Sequence, residues 1–355
     1  MEQRLITNKL IGCLFLLYST ALFSQAGGKY VYQFINLSPS ARITALGGFS
    51  ISYPGSDPAI AYQNPALLNE SMHTALSFNH QNYFTDISSG NFSYSHFLAK
   101  PKVFLQAGVQ YFNSGDFIKT DAFGNINGSA KANESNFYLA AGKQLNERMH
   151  VGLSSQFIFS KLDQYSSSAL AFNSSVLYFI PDQRLGISLL FRNMGFQLTK
   201  YDQQAEKLPF EVLMALSKKL KHLPFVYHIT FRHFEKWNIS YNDEDLDSGD
   251  SLLGGNTEDS EFEKAAGNFF RHLVFGGELL LGKKENFSIR LGYNHLRKKD
   301  LGVKDYRSFG GLSFGLGVKV YKFKIDYGYA LYHIAGGAHH FGLTTNLTSF
   351  YKTEM

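Results

Sequence analysis

The chain has 355 residues, 15% of them aromatic and only 18% charged, with 33 Phe, 21 Tyr, 32 Gly and a single Trp. A mean hydropathy of −0.17 excludes a helical membrane protein. A net charge of +5 is too small and too evenly spread to argue for a nucleic-acid partner. Many aromatics, many glycines and few charges suit strands that alternate apolar-out and polar-in.

The first segment carries Arg4 and Lys9, then an apolar run from Leu10 to Phe23, then Ser24-Gln25-Ala26 before Gly27. This reads as a cleaved signal peptide over residues 1–26, too short for a permanent membrane helix. Leu10-Ile11-Gly12-Cys13 is not a lipoprotein box, because the apolar run follows the cysteine. Cys13 is the sole cysteine, so a processed chain has no disulfide framework, zinc–thiolate site or cysteine nucleophile.

Residues 27–70 do not alternate cleanly and predict a compact plug. Ser38-Pro39-Ser40 signals a turn and a helix start. Gly47 and Gly48 permit positive φ or close backbone approach. Pro54-Gly55-Ser56-Asp57-Pro58 is a turn cluster, and Asn64-Pro65 fits a helix cap followed by proline at the first helical position. Arg42 is expected to make an ion pair or hydrogen bonds inside the protein, with Asp57 its partner or a turn residue.

From Met72 onward the chain reads as hairpins. About fourteen segments, near ten residues each, alternate in the manner of Val151 to Ser160. There Val151, Leu153, Phe157 and Phe159 share one face, while Gly152, Ser154, Gln156 and Ser160 share the other. The connections alternate too. Lys100-Pro101-Lys102, Asn146-Glu147-Arg148, Pro181-Asp182-Gln183 and Lys283-Lys284-Glu285 are tight, whereas Gln81–Ser89, Asn113–Glu134, Met194–Pro209, Glu235–Arg271 and Leu296–Ser308 are long. Short periplasmic turns and long extracellular loops mark outer-membrane barrels. Since the plug precedes the first strand, both chain termini are expected on the periplasmic side. The fold class is therefore all-β: a transmembrane antiparallel barrel over residues 71–355 in the bacterial outer membrane, with outer-membrane lipid around it.

The segment Ser40-Ala41-Arg42-Ile43-Thr44-Ala45-Leu46-Gly47-Gly48, with Asp57 and Asn64-Pro65-Ala66-Leu67-Leu68, resembles a family of fourteen-stranded outer-membrane barrels. That family includes the long-chain fatty-acid transporters and components of the type IX secretion system of Bacteroidetes. Tyr30 to Leu37 is most similar to a secretion component. The resemblance implies a non-enzymatic barrel that anchors a surface attachment complex. Its implied partners are a surface protein resembling PorZ, with PorU and PorV, and anionic lipopolysaccharide reached indirectly. Two other roles follow from the same family: transport of hydrophobic small molecules such as fatty acids, and a cargo-carrier role like that of PorV.

The Glu235–Arg271 loop stands out. It holds Trp237 and the acidic run Asp243, Glu244, Asp245, Asp247 and Asp250, and has too little apolar surface to order itself. It is a solvated surface or a docking surface for a partner. Its spacing fails the calcium-loop pattern, since Gly249 falls one place late and Gly254 stands at the closing position. His339 and His340, with nearby His333, have the residue types of metal ligands, but the adjacent pair on one strand points to opposite faces and cannot chelate together without distortion. No metal, cofactor or catalytic set is expected. The pairs Gly276-Gly277, Gly310-Gly311 and Gly336-Gly337 mark bulges or contact with a plug.

Overall fold

A computed structural model describes residues 30–84, 86–239, 261–300, 309–333 and 336–351. Fourteen strands form one closed barrel in which each strand pairs with the next and the last returns to the first. They are β1 (Ala75–Asn82), β2 (Ser88–Leu98), β3 (Val103–Thr120), β4 (Ile126–Gln144), β5 (Met149–Leu162), β6 (Tyr165–Ile180) and β7 (Leu185–Thr199). Then follow β8 (Glu211–Lys219), β9 (Phe225–Phe231), β10 (Leu273–Leu281), β11 (Phe287–Asn294), β12 (Leu312–Val320), β13 (Phe323–His333) and β14 (Gly336–Asn346). Every pairing is antiparallel, and the seam runs from Ala75 opposite Asn346 to Asn82 opposite His339. Among the described residues, no helix is long and apolar enough to cross a membrane.

The alternation resolves which face is which. On β5, Ser154, Gln156, Ile158 and Ser160 are buried, while Leu153, Phe157 and Phe159 are exposed. Bulky apolar side chains outward and small or polar ones inward is the arrangement of a barrel in lipid, the reverse of a soluble barrel.

The wall is uneven in height. β3 to β7 run 18, 19, 14, 16 and 15 residues. β9 to β12 have only 7, 9, 8 and 9. Much of the expected Asn113–Glu134 loop is thus hairpin: β3 and β4 stay paired from Asp116–Lys131 to Thr120–Ile126. Polar Thr, Lys, Asn and Ser there satisfy a ladder as well as a loop, so alternation alone does not mark where the membrane ends. A second difference lies in the acidic loop, whose last part, Glu261–Arg271, is helical.

Residues 31–72 fill the bore. The described part of this segment begins at the long-loop end, where Tyr30 bridges to Lys207 in the β7–β8 connection and the Tyr32 hydroxyl meets Ser167 near the start of β6. Both chain termini, expected on the periplasmic side, lie outside the described residues. The segment turns at Gln33–Asn36, where Phe34 and Ile35 pack on Ile158, Ala169, Ala171 and Leu208. Helix α1 (Ala41–Ala45) then lies against β11 to β14, and helix α2 (Ile60–Gln63) leads to a single turn at Pro65–Leu67. Ile43, Ile60, Leu67, Leu68 and Met72 form a core with Phe104, Ala140 and Leu177 of the wall. Two wall glycines make room. A Cβ on Gly152 would sit 2.2 Å from Ala66 N, and one on Gly292 would sit 2.1 Å from Gly47 N.

Candidate functional site

The plug signature is a set of internal ties. Ser40 caps α1, its Oγ accepting from Ile43 N at 3.3 Å and donating to Asp57 Oδ2 at 3.1 Å. Asp57 Oδ1 also accepts from Ala59 N at 3.0 Å, holding the Pro54–Pro58 turn. Gly47 (φ 84) and Gly48 (φ 99) end α1 in a Schellman motif. Gly48 N donates to Ile43 O at 2.9 Å and Gly47 N to Thr44 O at 3.3 Å, a left-handed exit that glycine adopts without strain. Asn64 caps the next turn through Ala66 N (3.0 Å), reaches Ile51 O with its amide (2.6 Å) and is followed by Pro65 at the first position.

Arg42 is ion-paired within the bore, but with Glu278 of β10 rather than with Asp57. Nε and Nη2 approach Glu278 at 3.1 and 2.8 Å. Arg290 of β11, directly opposite Glu278 in the ladder, donates to the same carboxylate at 2.6 Å and to Asp326 of β13 at 2.7 Å. Lys324 completes the chain at 3.6 Å from Asp326. Asp57 serves the turn instead because its two oxygens are already engaged by Ser40 and Ala59. A second buried cluster sits nearer the outer end: Glu211 accepts from Arg192, and from Arg232 Nε at 2.8 Å. The two guanidinium groups lie over the Phe49 ring, 5.4 and 4.5 Å from its centroid. The plug is thus gripped electrostatically at two places, Arg42 and Phe49.

At the second cluster the β6–β7 ladder slips. Phe172 faces Met194 and Ser174 faces Phe191, leaving Asn173 opposite the Arg192–Asn193 step. Asn193 takes φ 59; its N–H donates to Asn173 Oδ1 at 2.8 Å, and its amide donates to Asn36 Oδ1 and Pro209 O, each at 2.9 Å. Such a bulge turns a side chain off the regular alternation. Outside it, the small residues Ala141, Ser155 and Ser174 floor an apolar groove of ≈ 370 Å³, walled by Leu139, Leu153 and Phe172. Inside it lies a cavity of ≈ 10 Å³ bounded by Ile35, Tyr62, Gln156, Arg192 and Asn193. Asn173 lines both.

The other expected residues fall elsewhere. Trp237 is exposed above β9, its ring 5.5 Å from that of His272. Asp243, Glu244, Asp245, Asp247 and Asp250 lie outside the described residues. His340 points inward to Thr44 Oγ1 (2.8 Å) and His339 outward to the Tyr327 hydroxyl (2.9 Å). Gly276 does meet the plug: a Cβ there would lie 3.2 Å from Leu46 O. Glu278, Arg290, Asp326, Arg192, Glu211 and Asn193 were not anticipated. Their signal is present, since each charge interrupts an otherwise apolar strand at an inward position, as in LVFGGELLL and FSIRLGYN.

No family model matches the chain, and no curated protein matches it. Solved structures do. The Pseudomonas putida toluene transporter TodX aligns over 87% of this chain and 96% of its own, with 12% identity and a TM-score of 0.54. The CymD monoaromatic hydrocarbon channel aligns over 87% of this chain and 97% of its own, with 12% identity and a TM-score of 0.50. The chain has the fold of these fourteen-stranded outer-membrane barrels.

Proposed function

We propose that this protein is a gated outer-membrane channel for hydrophobic small molecules, with the plug as its closed gate. The observation that carries the reading is the apolar groove on the hydrocarbon face, backed through Asn173 by a cavity against plug residues Ile35 and Tyr62. The groove is of ligand size. A hydrophobic solute in the bilayer reaches the groove without crossing water, and the bulge is the weakest stretch of ladder behind it. The shared fold with a toluene transporter and a hydrocarbon channel supports the same class of cargo. The chemistry is passage, not catalysis.

The test is uptake of a radiolabelled hydrophobic compound by cells expressing the chain, against cells lacking it. Expression is expected to raise uptake severalfold. Filling the groove with Ser155→Trp and Ser174→Trp is expected to abolish the gain while the barrel still assembles.

A filled bore favours a second reading. A plug tied to the wall at Arg42 and Phe49 is a rigid base, as a PorQ-like scaffold of the type IX secretion system requires, holding PorZ, PorU and PorV at the surface. The acidic loop with Trp237 would then carry the docking contact. If gene disruption leaves solute uptake unchanged and releases secreted proteins from the surface, the scaffold replaces the channel.

A further inference from the structure

The short side of the wall carries an unusual rim. A strand needs about 9–11 residues to cross the hydrocarbon core. With 7 to 9 residues, β9 to β12 end at its outer boundary, so whatever follows them lies at headgroup level. Two helices follow: α3 (Glu261–Arg271), leading into β10, and α4 (His295–Asp300), leaving β11. They pack on each other through an aromatic cluster. Phe269 lies 6.1 Å from Phe231 and 6.3 Å from Trp237, and Phe270 lies 6.1 Å from His295. Trp237, Phe269 and Phe270 nevertheless stay exposed.

Basic side chains are carried on the same two helices. α4 reads His-Leu-Arg-Lys-Lys-Asp, and α3 ends in Arg271. Arg297 turns inward over the Tyr332 ring at 4.3 Å, but Lys298 is exposed. Arg271 ends α3, Lys298 and Lys299 lie in α4, and the two helices pack together, so these cations share one neighbourhood. Exposed aromatics beside a cationic cluster, at headgroup depth, match one kind of occupant: a molecule with an apolar portion and an anionic head.

We propose that the α3–α4 rim is a binding site for a phosphate-bearing lipid of the outer leaflet, with Arg271 and Lys298 on the phosphate and Trp237, Phe269 and Phe270 against its acyl and sugar portions. Only the low wall makes this possible, because on the β3–β7 side the strands continue well beyond the boundary.

Trp237 is the single tryptophan and reports on the site directly. The purified barrel in neutral detergent is titrated with diphosphoryl lipid A while Trp237 fluorescence is read. A saturable change is expected, with apparent affinity roughly twentyfold weaker in the Arg271→Gln/Lys298→Gln double variant, from about fivefold per removed charge. Dephosphorylated lipid A and inorganic phosphate at equal concentration are expected to give no saturable change. Retention of the compact band on unheated gels shows that the variant barrel is intact. An equal response to dephosphorylated lipid reduces the rim to an ordinary aromatic girdle and overturns the proposal. So does an unchanged affinity in the double variant, a saturating response to inorganic phosphate alone, or a bound polypeptide that occupies this face of the wild-type barrel and leaves with the two charges.

Discussion

Arg42 and Glu278, 236 residues apart in the chain, share a two-point ion pair inside the barrel. Among the described residues Arg42 has this single carboxylate partner, whereas Glu278 is also held by Arg290 and Arg290 by Asp326. The asymmetry ranks the variants. Glu278→Gln strands a buried guanidinium and is expected to cost about 3–5 kcal/mol. Arg42→Met leaves Glu278 with Arg290 and is expected to cost less. The Arg42→Met/Glu278→Gln pair is expected to fall short of the summed single losses, since the Arg42 charge is then no longer left without its partner. Urea titration of the compact gel band measures all three.

The path of the plug gives a topological expectation. Gln33 is exposed near the long-loop end and Ser71 is exposed near the short-turn end. In an outer-membrane barrel these are the extracellular and periplasmic sides. Gln33→Cys is therefore expected to react with an impermeant maleimide on intact cells, and Ser71→Cys only after the outer membrane is opened. The reverse pattern would invert the barrel's orientation.

The barrel was legible in the sequence because a period of two, bulky on one face and small on the other, repeats along Val151–Ser160 and its fellows. The plug ties were legible for a local reason. Ser40, Gly47, Asp57 and Asn64 satisfy backbone groups within a few residues, and such caps and turns have residue-type signatures. The long-range partners were not. Asp57 looked as good an acceptor for Arg42 as any carboxylate, and only the closed ladder brings Glu278 and Arg290 face to face beneath α1. The bulge at Asn193 was equally hidden, since one slipped residue in a polar-apolar run leaves the pattern almost unchanged.

Glycines separate close approach from mere flexibility. Gly152→Val places side-chain atoms into the Ala66 backbone and is expected to unseat the plug, seen as loss of the compact band. Gly267, within α3, faces open space, with nothing within 4 Å of where a Cβ would sit. Gly267→Ala is expected to stabilise that helix by about 0.5–1 kcal/mol, measurable as slower amide exchange over Glu261–Arg271.

His295 sets a pH dependence. Its folded pKa of about 4 lies below the ordinary 6.5 because of burial first and then Lys299, Lys298 and Arg271. The unfolded form therefore binds the proton more readily between these values, so stability falls as pH drops through that window and levels off below it. The thermal midpoint of the barrel is expected to decline between pH 7 and pH 4, and less so in His295→Phe.

The packed bore also dictates an order of construction. The segment from Tyr30 to Met72 runs the full depth of the cylinder and continues directly into β1, whose free edge closes on β14. A finished ring would have to pass Arg42, Tyr62 and the capped turns through a space already shaped around them. Gathering the segment between the growing strands, and sealing the last hydrogen-bonded edge around it, avoids that passage. The plug segment then acts as the mandrel on which the wall is wound.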